Sequence, residues 1–284
     1  MTGVFELVWD PVARTFAAQN IVRTARSFLF VPGDRPERFD KAANSGADVV
    51  VLDLEDAVAG EHKECARASV VSWLSQGGRA CVRINDLASP AYSRDLDALA
   101  ALPGLIAVMV PKAGSPTEVT AVAEHLNVPV IALIESATGM FNAYAIAAAP
   151  GVARLAFGHL DYALDLNAAA SWTAMLHARS TLVLASRAAQ LPGPVDGVTT
   201  ALDDAVKLDE DLQGAKEIGM TGKLLVHPQQ VSGAHTAFMP DAQEILWARR
   251  VLESVFGSEA ARVDGQMVDA PVLARARAIL LQAD

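Results

Sequence analysis

Short apolar runs alternate with segments of helical periodicity along most of the chain. Each run is followed by a stretch in which apolar residues recur every three or four positions. The runs cover residues 27–32, 48–55, 80–85, 106–112, 128–135, 152–158, 194–198 and 223–228. Nearly continuous apolar strands that alternate with helices are typical of a parallel sheet covered by helices on its faces.

The number of strand–helix units predicts the fold class. Eight units within about 210 residues indicate an α/β protein with a (β/α)8 TIM barrel over residues 27–239. An open doubly wound sheet is the alternative, but the first turn, "VPGDRPERF", contains no GxGxxG motif. We expect an irregular extension over residues 1–26. After the barrel, an amphipathic helix at 240–256, a loop and a short helix form a C-terminal extension over 240–284, predicted to pack on a neighbouring subunit.

The composition and net charge of the chain disfavour some classes of binding partner. The 284 residues are 52% hydrophobic and carry a formal net charge of −10, which disfavours nucleic acid and anionic membranes as partners. No apolar run approaches the ~18 residues of a membrane span, and the N-terminus lacks a signal-peptide pattern. We therefore expect a cytoplasmic protein. Cys65 and Cys81, without a CxxC motif or Cys/His cluster, are predicted to be small core residues in a reducing compartment.

Polar residues recur where the predicted strands end. They are Asp53, Glu55, Asp56, Arg83, Asn85, Lys112, Glu135, His159, Asp161 and His227. One carboxylate after a strand is more often a helix cap or a surface ion pair. However, the carboxyl ends of TIM-barrel strands form the catalytic face, so this repetition indicates a site.

The chemistry of these side chains indicates a cation and an anionic ligand. Several carboxylates at one apolar mouth would raise one another's pKa values, and a divalent cation relieves that repulsion. Oxygen ligands without Cys or paired His favour Mg²⁺. Arg83 and Lys112 at the same rim favour an acidic substrate.

Eight motifs resemble a known family when they are taken in order from residue 26 to 276. They are "RSFLFVPGDRPERFDKA", "DVVVLDLEDAV", "CVRIN", "VPK", "ALIES", "FGHLD", "GKLLVHPQQ" and "WARRVL…VDGQMVDAPVLARA". Together they are similar to citrate lyase β-subunit-like (CitE-like) proteins of the HpcH/HpaI aldolase superfamily. The resemblance implies a TIM barrel with a C-terminal extension, a homotrimer or higher homo-oligomer, and Mg²⁺. It also implies formation or cleavage of a carbon–carbon bond between an acyl-CoA and a keto acid.

The resemblance also implies the metal ligands. These would be Glu135 of "ALIES" and Asp161 of "FGHLD", with Asp165 as a weaker competitor for the second position. The sequence departs from the family pattern at "GHLDYALD" and at Ser136, where Thr is usual. The serine should preserve the hydroxyl group.

The remaining roles are likewise implied by resemblance. Arg83 would hold the substrate's carboxylate or thioester oxygen, and Glu55 and Asp56 would fix metal-bound water and Arg83. Asp269 of "MVDAP" would be the acid/base that reaches the site of an adjacent subunit. Lys112 is expected to act electrostatically on substrate rather than as a Schiff-base lysine.

The first strand–helix segment is a candidate site for the CoA phosphates. Arg35, Arg38 and Lys41 could bind them, although the interleaved acidic residues are equally compatible with a solvated, ion-paired helix. We expect His177 and Arg179 to be surface or interface residues. Other candidates are expected to be structural: His227 through a hydrogen bond, and Trp172 and Trp247 through packing.

Three functions are compatible with this sequence. The first is a Mg²⁺-dependent lyase or synthase for a β-hydroxyacyl-CoA of the malyl-, citramalyl- or citryl-CoA type. The second is a pyruvate-type class II aldolase that acts on free hydroxy-keto acids. The third is a subunit that is active only within a citrate lyase complex.

Overall fold

The barrel predicted from the sequence is present. A computed structural model describes residues 11–254, 262–263 and 266–283. Its barrel strands are β1 Ser27–Pro32, β2 Val49–Asp53, β3 Ala80–Arg83, β4 Leu105–Val110, β5 Val130–Ile134, β6 Val152–Phe157, β7 Val195–Asp196 and β8 Gly222–Leu225. Each strand pairs in parallel with the next, and β8 closes the barrel on β1. The (β/α)8 prediction is therefore confirmed.

Helices surround the barrel, and further helices follow its last strand in the sequence. They are α1 Pro11–Thr24, α2 Phe39–Ala43, α3 Lys63–Ser75, α4 Tyr92–Leu99, α5 Pro116–Leu126, α6 Ala137–Phe141, α7 Ala143–Ala147, α8 His159–Asp165, α9 Trp172–Ala188, α10 Ala205–Glu217, α11 Gln230–Phe238, α12 Ala242–Ser254 and α13 Ala270–Ala283. Short 3-10 helices cover Pro36–Arg38 and Gly60–His62. No helix in the described part of the chain has the length and apolarity needed to cross a membrane.

Apolar side chains from successive strands fill the barrel interior. Those fully buried include Phe28, Val51, Cys81, Met109, Ile131 and Leu133. Each large apolar side chain contributes ~1.5–3 kcal/mol to folding when it is fully buried. The interior is thus a packed core, and the polar strand ends are confined to its rim. Cys65, predicted to be a core residue, is instead exposed on α3, whereas Cys81 is buried as expected.

The N-terminal segment is helical where it is described, so the irregular extension predicted for residues 1–26 was wrong for α1. Ala18 and Val22 of this helix are buried against the barrel core. The buried guanidinium of Arg154 on β6 donates to the main-chain oxygens of Val22, at 2.9 Å, and Ala25. The pattern "PVARTFAAQNIVRT" was missed because its few apolar positions form only a weak stripe.

The chain divides into two compact units, Met1–Ala234 and His235–Asp284. In the second unit, α12 packs on α13 around Ala248, Val251 and Ile279. A two-stranded antiparallel sheet is formed by β9 Arg262–Val263 and β10 Gln266–Met267. The predicted helix over 240–256 is observed up to Ser254, and residues 255–256 lie outside the described part. Packing on a neighbouring subunit stays a prediction.

Candidate active site

Neighbouring strands bring Asp53 and Arg83 together at the catalytic end of the barrel. They are the last residues of β2 and β3, and the register pairs them directly. The Nε and Nη2 atoms of Arg83 donate to the two carboxylate oxygens of Asp53 at 2.8 and 2.6 Å. Asp53 also accepts from the main-chain N–H groups of Glu55 and Ala57, which fixes the loop after β2. Asp53 was predicted to be one of the polar residues at the strand ends, but it was given no role of its own in the site.

The predicted contact between Arg83 and Glu55 is present. Nη1 of Arg83 lies 3.0 Å from Oε2 of Glu55, without the alignment of a hydrogen bond, and 3.8 Å from Asp56. Glu55 is also joined to Nζ of Lys112 at 2.5 Å. Because Asp53 occupies the Nε–Nη2 edge of Arg83, a bound anion would have to use the remaining N–H groups of Nη2 and Nη1, and Nη1 is already close to Glu55.

Neighbouring charges and burial shift the pKa values of Arg83 and Glu55 in opposite directions. Burial alone would lower the pKa of Arg83, but Asp53 and Glu55 hold that pKa above its usual value. Burial raises the pKa of Glu55, although Arg83 and Lys112 oppose the shift. A buried carboxyl whose pKa is raised is a common feature of functional sites.

Glu135 is held beside this group by the main chain. Its Oε1 accepts the N–H of Lys112 at 2.7 Å, and Lys112 adopts a left-handed backbone with φ of 48°. Gly158, at the end of β6, leaves room for the Glu135 carboxyl, since a Cβ there would lie 2.2 Å from Oε2. Glu135 is therefore fixed by its neighbours in space as well as by its strand.

Glu135 and Asp161 line the same cavity, which has a volume of about 240 Å³. Burial, together with the charges of Glu55 and Asp161, raises the pKa of Glu135 to about 8. Asp56 and Arg83 also line this cavity. Its apolar walls come from Phe30, Leu133, Phe157, Val198, Leu224 and Val226.

The donor set fits a hard divalent cation. Six carboxyl groups lie in or beside this cavity with only two basic groups, Arg83 and Lys112, among its described residues. The acidic residues are Asp53, Glu55, Asp56, Asp86, Glu135 and Asp161. Neither Glu135 nor Asp161 forms an ion pair with a lysine or arginine among the described residues. No group of three or more His, Cys, Asp or Glu side chains in the described ranges is arranged to hold a metal ion. Two protein carboxylates with water or substrate in the other positions is an arrangement typical of Mg²⁺.

Asp165 has a structural partner. Its carboxylate accepts the N–H of Ala137 at 2.7 Å, at the start of α6, where Ser136 accepts from Gly139. Asp165 does not line the cavity, whereas Asp161 does. This difference favours Asp161 as the partner of Glu135.

The candidate CoA phosphate site lies outside this cavity. Arg35 is exposed on the turn after β1 and does not line either of the two cavities at this end. Arg38 and Lys41 line a second cavity of about 510 Å³, together with His227 and Gln229. His227 accepts the N–H of Gln229 at 3.3 Å, consistent with a structural role.

Asp269 lies in the second compact unit, just before α13. Its Oδ1 accepts the N–H of Val272 at 3.1 Å, so it caps the helix. Its predicted role as the acid/base stays a prediction.

A buried ionic cluster lies behind one wall of the cavity and was missed in the sequence. Asp196 on β7 accepts from Arg179 Nε at 2.7 Å and from Lys223 Nζ at 3.0 Å, and all three residues are buried. Burial alone would raise the pKa of Asp196, but the two cations hold it below its usual value. The expectation that Arg179 is a surface or interface residue was therefore wrong, because its side chain is buried within this chain. Its partner Asp196 lies 17 positions later, on a strand of two residues that is too short to show an alternating apolar pattern in the sequence.

His159 forms part of the cavity wall nearest this cluster. It begins α8, immediately after Gly158, and its ring packs near Phe157 and Gly197. Burial and the charge of Arg179 lower the pKa of His159 to about 4, so its ring is neutral at physiological pH.

Comparison with known sequences identifies the family. Residues 26–228 match the HpcH/HpaI aldolase/citrate lyase family. A citrate lyase subunit beta-like protein of Mycobacterium tuberculosis is 37% identical over 272 residues, with 93% of this chain and 97% of the relative covered. A (3S)-malyl-CoA thioesterase of Cereibacter sphaeroides is 33% identical over 271 residues, with 91% and 94% covered.

Solved structures support the same assignment. A CitE structure from Mycobacterium tuberculosis, in complex with magnesium, acetoacetate and coenzyme A, superposes with a TM-score of 0.81 at 36% identity. The match covers 92% of this chain and 99% of that one. Another from the same organism, the citrate lyase beta subunit with oxaloacetate and magnesium, has a TM-score of 0.70 at 35% identity, covering 78% and 100%. The predicted resemblance and enzyme class are confirmed, and this chain belongs to the HpcH/HpaI aldolase/citrate lyase family of lyases.

Proposed function

We propose that the protein is a Mg²⁺-dependent lyase or synthase that cleaves or forms a β-hydroxyacyl-CoA from an acyl-CoA and a keto acid. The observation that carries this proposal is the placement of Glu135 and Asp161 on one cavity, free of lysine or arginine partners among the described residues. Relatives whose structures contain magnesium with oxaloacetate, or with acetoacetate and coenzyme A, support the ligand class.

Glu135 and Asp161 would hold the cation. When bound, Mg²⁺ would supply Lewis-acid stabilisation for the oxygens of the keto acid. A bound cation would also offset the effects of burial and of the Asp161 charge, both of which raise the pKa of Glu135 in the protein alone.

Arg83 would stabilise negative charge on the substrate. The two hydrogen bonds that Arg83 donates to Asp53 fix the plane of its guanidinium, and the nearby Glu55 carboxylate limits the position of Nη1. Such fixed cations stabilise developing charge without reorganisation during the reaction. Asp56 would help to order water at the mouth, and Lys112 would balance Glu55 and add positive charge for an acidic substrate.

Cleavage requires a base for the β-hydroxyl proton. As the carbon–carbon bond breaks, its electron pair moves to the thioester side, and the protonated base returns that proton to the resulting enolate, which becomes the acyl-CoA. In synthesis, the same base would remove a proton from the methyl group of the acyl-CoA. We propose Asp269 for this base, supplied by an adjacent subunit of a homo-oligomer. The CoA phosphates would lie near Arg35, Arg38 and Lys41.

A thioesterase is the second candidate because one relative is named for that activity. It would consume water and release free CoA, whereas a lyase releases an acyl-CoA and a keto acid without using water. The alternatives of an aldolase for free acids and of a complex-dependent subunit are also distinguished by product analysis.

The test is to incubate the isolated full-length protein and Mg²⁺ with malyl-, citramalyl- and citryl-CoA, and to separate the products. Formation of acyl-CoA and keto acid in equal amounts, abolished by EDTA and by Glu135→Gln, supports the lyase. Free CoA with the intact hydroxy acid would support the thioesterase. Turnover only of free hydroxy-keto acids would support the aldolase, and turnover only after addition of citrate lyase partners would support the complex.

A further inference from the structure

We infer that His159 selects the keto acid by donating a hydrogen bond to a second carboxylate of that substrate, so that dicarboxylic keto acids are preferred over monocarboxylic ones. This inference rests on the proposed keto-acid function and concerns a residue to which that function gives no role. Three observations about the surroundings of the His159 ring support it.

The first observation is the contrast between His159 and its neighbours in the cavity wall. The His159 ring packs near Phe157, and it shares the cavity wall with the apolar residues Val198, Leu224 and Val226. Within the described residues, its ring forms no hydrogen bond with another side chain or with the main chain. The residue is largely buried, but neither ring nitrogen is among the sealed atoms without a partner, so a ligand in the cavity can reach the ring and accept its hydrogen bond.

The second observation is the position of the ring. Nδ1 packs against Gly197, because a Cβ on that residue would lie 2.1 Å from Nδ1. This contact limits rotation of the ring and leaves Nε2 as the atom for a ligand. Hydrogen bonds between neutral donors and carboxylates are stronger than those between neutral groups.

The third observation is the charge behind the wall. Arg179 and Lys223 share one carboxylate, that of Asp196, so this buried cluster carries a net positive charge, and Asp211 is the other acidic group that acts on His159. Nη1 of Arg179 is buried without a hydrogen-bond acceptor among the described residues. Lys223 donates to the main-chain oxygen of Gly197, the residue that His159 contacts. In a poorly solvated region, this net positive charge favours an anion at the His159 side of the cavity.

A ligand with two carboxylates would contact both groups. Its keto-acid end would lie at Glu135 and Asp161, and its distal carboxylate would accept from His159, which precedes Asp161 by two residues on α8. A monocarboxylic keto acid would place a methyl group or hydrogen beside the imidazole instead, which leaves the donor unpaired.

The experiment compares the binding of freshly dissolved oxaloacetate and of pyruvate to the Mg²⁺-loaded full-length protein by calorimetry. We expect the wild-type protein to prefer oxaloacetate about tenfold or more. His159→Phe retains a ring but no donor, and should reduce the preference to less than twofold. His159→Gln places an amide near the position of Nε2 and should restore part of it. His177→Phe makes the same change at an exposed position of α9 and should leave the ratio unchanged.

Gly197→Ala provides an independent variant that retains the imidazole but displaces it. It should weaken oxaloacetate binding in the wild-type background and have little further effect in His159→Phe. Melting temperatures and Mg²⁺ affinities establish that each variant is folded and metal-competent.

Two results would overturn the inference. If His159→Phe leaves the oxaloacetate-to-pyruvate ratio unchanged, or if the wild-type protein binds both acids equally, His159 does not select the substrate and the proposed lyase function is unaffected. If neither acid binds to the Mg²⁺-loaded wild-type protein, the inference and the keto-acid function both fail.

Discussion

The carboxylate of Glu135 is oriented by the main-chain N–H of Lys112, a residue whose φ of 48° lies in the left-handed region. Residues other than glycine are uncommon in this region of backbone conformation. Backbone strain of this kind is concentrated at functional sites. The contact joins the end of β5 to the turn after β4. It holds Glu135 in place before any ligand binds, which lowers the cost of assembling the site.

The first prediction concerns the metal ligands. Glu135→Gln retains an acceptor for the Lys112 N–H but removes the charge, so Mg²⁺ affinity should fall about tenfold or more, measured by calorimetry. Asp161→Asn should have a similar effect. Asp165→Asn is the matched control, because Asp165 accepts from Ala137 at the start of α6. Equal loss of affinity in the control would contradict the assignment of Asp161.

The second prediction concerns the space beside Glu135. Gly158→Ala would place a methyl group 2.2 Å from Oε2 of Glu135, so the carboxylate must move. We expect weaker Mg²⁺ binding, with far-UV circular dichroism unchanged. Gly60→Ala is the control, since nothing lies within 4 Å of its added methyl group. Unchanged metal affinity in Gly158→Ala would show that the carboxylate can relocate without cost.

The third prediction concerns the buried pair at the ends of β2 and β3. Arg83→Gln leaves Asp53 buried without a charged partner and leaves Glu55 with Lys112 alone, which should lower the free energy of unfolding by ~3–5 kcal/mol. Urea denaturation measures this loss. Asp53→Asn combined with Arg83→Gln should cost less than the two single changes added together. Strict additivity would indicate that the two residues act independently.

The fourth prediction is a pH dependence that arises from Asp196. Its pKa in the folded protein is below the unfolded value because Lys223 and Arg179 surround it, and their effect exceeds that of burial. The contribution to stability is therefore fully present above the unfolded pKa, about 3.9, and is lost as the pH falls through the lower folded pKa.

Urea denaturation of the wild-type protein and of Asp196→Asn between pH 3 and 7 tests this dependence. The wild-type protein should be more stable by ~3 kcal/mol at neutral pH. The difference should shrink at the acidic end. A difference that grows on acidification would reverse the sign and contradict the ionised state of Asp196.

The fifth prediction separates the structural and chemical roles of Asp269. Asn is as good a helix cap as Asp, so Asp269→Asn should keep α13 and its stability. Turnover should fall at least ~100-fold if Asp269 is the acid/base, while Mg²⁺ and keto-acid binding persist.

Asp241→Asn is the control for that variant, because Asp241 caps α12 through the N–H of Glu244 and has no proposed chemical role. Normal turnover in Asp269→Asn would remove Asp269 from the mechanism. Because both variants keep a capping side chain, loss of turnover in both would point instead to a general sensitivity of this unit to the loss of a carboxylate.

Local patterns were sufficient to predict the barrel and the rim of charged residues. The strands are short and apolar, and their polar residues fall at one end because the fold requires it, as with Glu135 at the end of β5. Register was harder to predict. The pairing of Asp53 with Arg83 depends on both residues ending adjacent strands, and only the hydrogen-bonded register places them side by side.

The features that were missed depend on contacts distant in sequence. Arg179 lies on a helix whose composition is that of an exposed face, yet Asp196 and Trp172 surround its guanidinium. Lys223 stands within an apolar strand, and this anomaly was the one available signal for the buried cluster. Helix α1 was missed because its stability comes from the barrel on which it packs rather than from its own periodicity.

Helix α1 also limits how far the chain can be shortened. The segment that carries the family pattern starts at residue 26, after this helix. A protein trimmed to that point would uncover the apolar base of the barrel and deprive the Arg154 guanidinium of the carbonyls of Val22 and Ala25. Burial already lowers the pKa of Arg154 to about 9. Without the two carbonyl acceptors, its guanidinium would need water molecules in their place. Expression of the catalytic barrel for crystallisation should therefore keep the preceding helix.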